Sequence, residues 1–147
     1  MNDRPSNTRG EVDKQLSFAL YGAATRMARM HKPFLEPLGL TFPQYLAMLE
    51  LLDGAPLSVG ALGAGLGMDT GTITPMVKRL QASGLVTRTR DTADERRVLV
   101  DLTPEGRALD ADIRGVAGKI TSACRLTDAD ADELRRALET LAGGATG

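Results

Sequence analysis

Apolar residues follow helical spacing over most of the chain and switch to a strand-like pattern once, past its middle. Leu16, Leu20, Ala23, Met27, Met30 and Phe34 recur at steps of 3 and 4. That spacing predicts one buried helix face over about 12–36, stopped by Pro37 and Gly39. Thr41 and Gln44 have capping-box spacing and open a helix carrying Tyr45, Leu46, Met48, Leu49 and Leu52. Asp53 and Gly54 end it. Ser58 caps a short helix with Val59, Leu62 and Leu66, and Gly67-Met68 turns the chain. Asp69 caps the next helix over 70–83, with Gly84 as its left-handed stop. Pro75 falls in its second turn, where a local distortion is expected rather than a break.

Residues 85–90 and 96–102 read as strands around the turn formers Asp91, Thr92, Ala93 and Asp94. Thr103-Pro104-Glu105 starts a helix running to about Cys124. Gly106, Gly115 and Gly118 weaken that helix, so it depends on packing. Thr127 and Asp130 cap a last helix with Leu134, Ala137, Leu138 and Leu141 as its stripe, and the Gly-rich end frays. The order α-α-α-α-β-β-α-α is mainly α with a small β-hairpin wing, an α+β class. Helix, tight turn, helix and hairpin over about 41–102 make a winged helix-turn-helix, whose second helix suits a major groove. Residues 1–10 read as a flexible arm and 11–147 as one domain. The helices over about 12–36 and 104–142 carry more apolar surface than so small a winged unit covers, so they need each other or a second chain, and they are the candidate dimerisation helices.

Composition first pulls against nucleic acid. The chain has 147 residues and a formal net charge of −1, whereas binders are commonly basic. Locally the balance differs: residues 70–97 hold six cations against three anions, between acidic flanks. The lone Cys124 excludes an internal disulfide, and with one histidine, His31, no metal site is expected. No apolar run approaches the ~18 residues of a membrane span, so a cytoplasmic protein without membrane contact is expected. No Ser/His/Asp set, metal cluster or phosphate loop stands out, so neither catalysis nor a cofactor is expected.

The local charge has suitable neighbours. Thr70, Gly71, Thr72 and Thr74 give the second helix small polar groups that allow close approach to base edges, next to Pro75. Lys78 and Arg79 lie one to two turns later, within reach of phosphates. Arg88 and Arg90 share a strand face, and Arg96 and Arg97 sit at the hairpin return, where arginine suits a narrow minor groove. Asp94 is placed to hold Arg96. The plainer reading is a helical domain with capping threonines and a solvated hairpin.

The stretches Asp94-Glu95-Arg96-Arg97-Val98 and Leu102-Thr103-Pro104-Glu105-Gly106 resemble the wing and the following helix entry of the MarR family of dimeric winged-helix regulators. LSFALY (16–21), KPFLEPLGLTFPQYL (32–46) and MDTGTITPMVKRLQASGLV (68–86) are similar to its organic hydroperoxide sensors, the OhrR branch. The resemblance implies a homodimer on palindromic double-stranded DNA, a repressor released by a small molecule. It also marks a departure. The sensors' reactive cysteine is Ser17 here, and the two tyrosines that steady it are His31 and Phe42. A serine hydroxyl is not ionised at neutral pH and cannot follow the thiolate oxidation ladder. The expectation is therefore a different signal, with a hydroperoxide sensor carrying a Cys-to-Ser change at position 17 as the alternative.

Ser17 and His31 are about 21 Å apart along a continuous helix and cannot meet within one chain. The resemblance implies antiparallel first helices, which would bring Ser17 and Tyr21 to His31 and Phe42 of a second copy. Met27, Met30, Phe42 and Tyr45 with Ser17, Tyr21 and His31 would then line a pocket for a small aromatic or phenolic acid. A surface histidine is the plain alternative for His31. Cys124 lies near the resolving cysteine of two-cysteine relatives. It reads as a small apolar residue here, with a disulfide between two copies as the other reading.

Overall fold

The computed structural model describes residues 11–144. The expected arm, 1–10, and the last three residues lie outside them. A short helix α1 (Glu11–Lys14) precedes α2 (Leu16–Leu35), then a 3-10 turn over Glu36–Leu38. The single first helix expected from periodicity is thus two pieces, because Gln15 adopts an extended backbone (φ −76°, ψ 129°). Gly39 closes the 3-10 turn at φ 69°, a left-handed conformation that favours glycine. Helix α3 (Phe42–Gly54) starts on the expected capping box: Gln44 N donates to Thr41 Oγ1, and Thr41 N donates to Gln44 Oε1.

A two-residue strand β1 (Leu57–Ser58) leads into α4 (Val59–Leu66), and Gly67, also left-handed, turns the chain toward α5 (Thr70–Ala82). Helix α5 runs through Pro75 without a break. Strands β2 (Val86–Arg90) and β3 (Val98–Leu102) form the hairpin. The expected two-stranded wing is corrected to a three-stranded antiparallel sheet in the order β1-β3-β2, with Leu57 opposite Val100 and Ser58 opposite Leu99. The expected single helix from 104 to about 124 divides into α6 (Pro104–Ala108) and α7 (Asp110–Ala123) at Leu109. Gly106, in α6, abuts the backbone just before β2: a Cβ there would stand 2.2 Å from the Leu85 carbonyl oxygen. Helix α8 (Asp128–Gly144) ends the described chain.

One core serves the end of α2, α3, α4, α5, the sheet and α7. Met48, Leu51, Leu62, Ile73, Leu80, Val100, Ile113 and Val116 are fully buried in it. Arg114 on α7 donates to Asp53 at the end of α3 (2.9 Å) and to Asp110 one turn earlier, and both carboxylates raise its already high pKa. The remaining apolar surface is at the periphery: Leu16, Phe18 and Tyr21 on α2, and Leu134, Leu138 and Leu141 on α8, are exposed. Among the described residues no helix is long and apolar enough to cross a membrane.

Candidate functional site

Helix α5 buries Ile73, Met76, Val77 and Leu80, which fixes its opposite face outward. Asp69 caps it, accepting from Thr72 N at 2.9 Å. Thr70, Gly71, Thr72 and Pro75 are exposed and Thr74 is half-buried, while Lys78 and Arg79 are exposed further along. The α5 stretch that the sequence marked for base edges is therefore solvent-facing.

The wing tip is braced by its own charges. Asp91 N donates to the Arg97 carbonyl and Arg97 N to the Asp94 carbonyl, each at 2.9 Å. The Asp91 carboxylate accepts from Ala93 N, closing a tight turn. Arg96 bonds the Asp94 carboxylate through its backbone N (3.1 Å) and its Nε (3.2 Å). The Arg96 hydrogen bonds, from side chain first and then backbone, hold the Asp94 carboxyl below the usual carboxylate range, with Arg97 adding to the pull. Arg97 lies 3.9 Å from Asp91, and Arg90 Nη1 donates to the Glu95 carbonyl. Both ends of the 91–97 loop are thereby tied to the strands. The tip presents Arg96 with 91% of its side chain exposed.

Helix α5 and the wing meet across a hollow of about 350 Å³. Thr70 and Thr74 of α5 line one wall, and Arg88, Arg96, Arg97 and Val98 of the wing line the other. Ser58, Val59 and Gly60, at the start of α4, complete it. Five residues singled out from sequence are thus brought to one cavity. The α4 contribution was missed, although the Ser58 cap was a sequence signal for a helix start pointing there. Lys78, Arg79 and Arg90 lie outside this hollow on adjoining surface.

The residues marked for a sensing pocket divide differently. His31 is buried, 6% exposed, and Nδ1 donates to the Met27 carbonyl at 2.7 Å. Its ring centroid lies 4.6 Å from that of Phe42 and 5.7 Å from that of Tyr45. Burial pushes the Tyr45 phenol pKa up. Met30 is half-buried, while Ser17 and Tyr21 are exposed toward the other end of α2. Phe42 alone of this set lines an apolar hollow of about 760 Å³ between α2 and α3, with Ala28, Leu35, Leu40, Arg29 and Lys32. Met27 and Cys124 line a separate groove of about 380 Å³, with Ile120, Leu134 and Leu138. Arg29 and Lys32 were missed, although three cations and no carboxylate on α2 are visible in sequence.

Residues 38–97 match a family model described as MarR family. The chain is 40% identical over 131 residues to the organic hydroperoxide resistance transcriptional regulator of Bacillus subtilis, covering 89% of each chain. Reduced AbfR bound to DNA, a Staphylococcus epidermidis protein, matches with TM-score 0.79 and 29% identity over 92% of each chain. Bordetella bronchiseptica BpsR, solved in work on regulation of its DNA binding by 6-hydroxynicotinic acid, matches with TM-score 0.80 and 27% identity, over 88% of this chain and 94% of its own. With a cationic wing folded against a polar helix face, and relatives aligned over nearly the whole length, the chain belongs to the MarR family of winged-helix DNA-binding transcriptional regulators.

Proposed function

We propose that this protein is a cytoplasmic homodimeric repressor that binds a palindromic operator and is released by a small organic acid. The observation that carries the reading is the shared hollow, in which α5 threonines and wing arginines face one another. In this reading Thr70, Thr72, Thr74 and Pro75 approach base edges, and Lys78, Arg79, Arg88 and Arg90 hold phosphates. Asp94 aims Arg96, and Arg97 beside it, toward the minor groove. The exposed leucines of α8 and the apolar end of α2 supply the dimer surface, which gives two half-sites their two-fold relation. The hollow beside Phe42 offers an apolar body site with the Arg29 guanidinium at its edge for a carboxylate. The reading takes Arg29 as the acid's charge partner rather than His31, which is buried and does not line this hollow. That BpsR answers to 6-hydroxynicotinic acid supports an aromatic acid.

A mobility-shift titration tests the DNA reading. Duplex binding is expected to fall steeply with salt, and Arg96→Ala to weaken binding to all sequences, whereas Thr72→Ala lowers sequence preference. Salt-independent or absent binding would overturn it. Aromatic acids titrated against the complex are expected to release DNA from the wild type and much less from Arg29→Ala. The second reading, a hydroperoxide-sensing repressor altered at position 17, is favoured by the similarity to the Bacillus regulator. In that case Ser17→Cys confers release by an organic hydroperoxide that the wild type lacks.

A further inference from the structure

Helix α5 carries its two least helical residues at the centre of its outward face. Ile73, Met76, Val77 and Leu80 are buried, and the helical repeat sets Gly71 and Pro75 almost diametrically opposite them. Both are exposed, and neither lines the hollow between α5 and the wing. Glycine and proline are the poorest residues for a helix interior, and the space around Gly71 does not call for one. A Cβ there would meet only Asp69 Oδ1, at an ordinary 3.5 Å, and the φ of Gly71 is not left-handed. Pro75 has no N–H, so the Gly71 carbonyl lacks the donor that position 75 would otherwise give it. That bond belongs to the regular ladder, which has already begun where Ile73 N donates to the Asp69 carbonyl at 3.0 Å. No side chain of the described residues donates to the Gly71 carbonyl in its place. The proline ring crowds this oxygen, and solvent-side helix carbonyls tilt outward. A bare acceptor therefore stands mid-face, between Thr72 and Thr74, on a residue with no side chain to cover it.

We infer that the Gly71 carbonyl is a base-reading acceptor, taking a hydrogen bond from the exocyclic amino group of an adenine in the major groove. The inference rests on the DNA-binding reading and adds to it a contact made by the backbone of α5 rather than by its threonines. An acceptor can be answered in the major groove only by adenine N6 or cytosine N4, the two donors exposed there. The Pro75 ring beside it suits the methyl of the paired thymine, which a C·G pair lacks, so adenine is favoured. Glycine at position 71 lets the backbone come close enough for the bond. Water serves the carbonyl in the free protein. Against a duplex, a base without an amino group leaves the acceptor unpaired, and that cost supplies the discrimination.

The test is a base-analogue scan on a duplex selected by the full-length protein from a random-sequence pool. At one pair per half-site, replacing adenine by purine, which lacks N6, is expected to weaken wild-type binding about fivefold, the size of one neutral hydrogen bond. Replacing the paired thymine by uracil is expected to cost about threefold, the size of one buried methyl. Pro75→Ala restores the N–H and returns the carbonyl to the helix. It is expected to melt at a higher temperature than the wild type, to bind the selected duplex about fivefold more weakly, and to be indifferent to the loss of N6. Its raised Tm separates weaker binding from a folding defect, and Pro75→Ser, which restores the same N–H, is the second variant. An equal purine penalty in the wild type and in Pro75→Ala, or the lack of any amino-sensitive position, overturns the inference while leaving duplex binding intact. Sensitivity confined to cytosine N4 overturns the choice of adenine. Failure of the wild type to bind any duplex overturns the underlying reading instead.

Discussion

In the winged unit Leu51, Leu62, Ile73, Leu80 and Val100 are sealed from solvent, and α7 adds Ile113 and Val116 to the same core. On α8, Leu134, Leu138 and Leu141 recur at the same helical spacing but remain 49%, 41% and 52% exposed. Both regions carry apolar stripes, so the stripe does not decide burial by itself. What differs is the facing layer. The winged unit finds it in α3, α4, α5, the sheet and α7, whereas α8 meets only the rim of a groove beside Met27 and Ile120. Charge separates the regions as well: α2 carries three cations and no anion, while α8 holds five carboxylates and two arginines. The winged unit is stabilised within the chain, whereas the leucines of α8 are left exposed in it.

The largest expected effect breaks that comparison if it is wrong. Leu62→Ala and Ile113→Ala should each lower unfolding free energy by about 2–5 kcal/mol, by the same amount at any protein concentration in urea melts. Leu134→Ala with Leu138→Ala should instead raise the dimer dissociation constant in sedimentation and act through concentration. A concentration-independent loss from the α8 pair would place those leucines in the chain's own core.

Glycines sharpen the same contrast at smaller magnitude. Gly106→Ala drives a Cβ against the Leu85 carbonyl, and a loss of about 1–3 kcal/mol is expected. Gly115, on the outer face of α7, has nothing within 4 Å of its would-be Cβ. Gly115→Ala should therefore gain about 1 kcal/mol from helix propensity, read as a rise in Tm. A loss at Gly115 would mean that this face is occupied.

The smallest effect is electrostatic. Asp94 has a lowered folded-state pKa, so its contribution is present above the unfolded value and is lost only as pH falls through the folded one. Because the pair is exposed, overall stability should scarcely change. Carbon-detected NMR titration should find the Asp94 carboxyl ionised after other exposed carboxyls have protonated, and Arg96→Ala should return it to the ordinary range. An unshifted carboxyl in the wild type would remove the brace from the wing.

Legibility in the sequence followed the size of the pattern. Caps at Thr41, Ser58, Asp69 and Thr103 could be read because each is a short side chain answering a backbone N–H three residues on. Strand β1 could not, since two residues carry no alternation and its pairing partner lies more than forty positions away. The break at Gln15 involves neither glycine nor proline and leaves no mark in composition. At the proposed DNA-facing surface, residue types alone carried the expectation, as with the wing arginines. The contribution of α4 depends on tertiary approach, which spacing does not encode. The division of His31, Phe42 and Met27 among a ring cluster, a hollow and a groove has the same origin.

Ser58 does two jobs at one position. It pairs with Leu99 at the edge of the wing sheet, and its hydroxyl accepts from Ala61 N to start α4. In mechanical terms it is a bolt shared by two plates. The wing cannot tilt without dragging the first turn of the helix that supports α5. A signal that acts as proposed would therefore have to swing the winged unit as one piece rather than bend its wing against its helices.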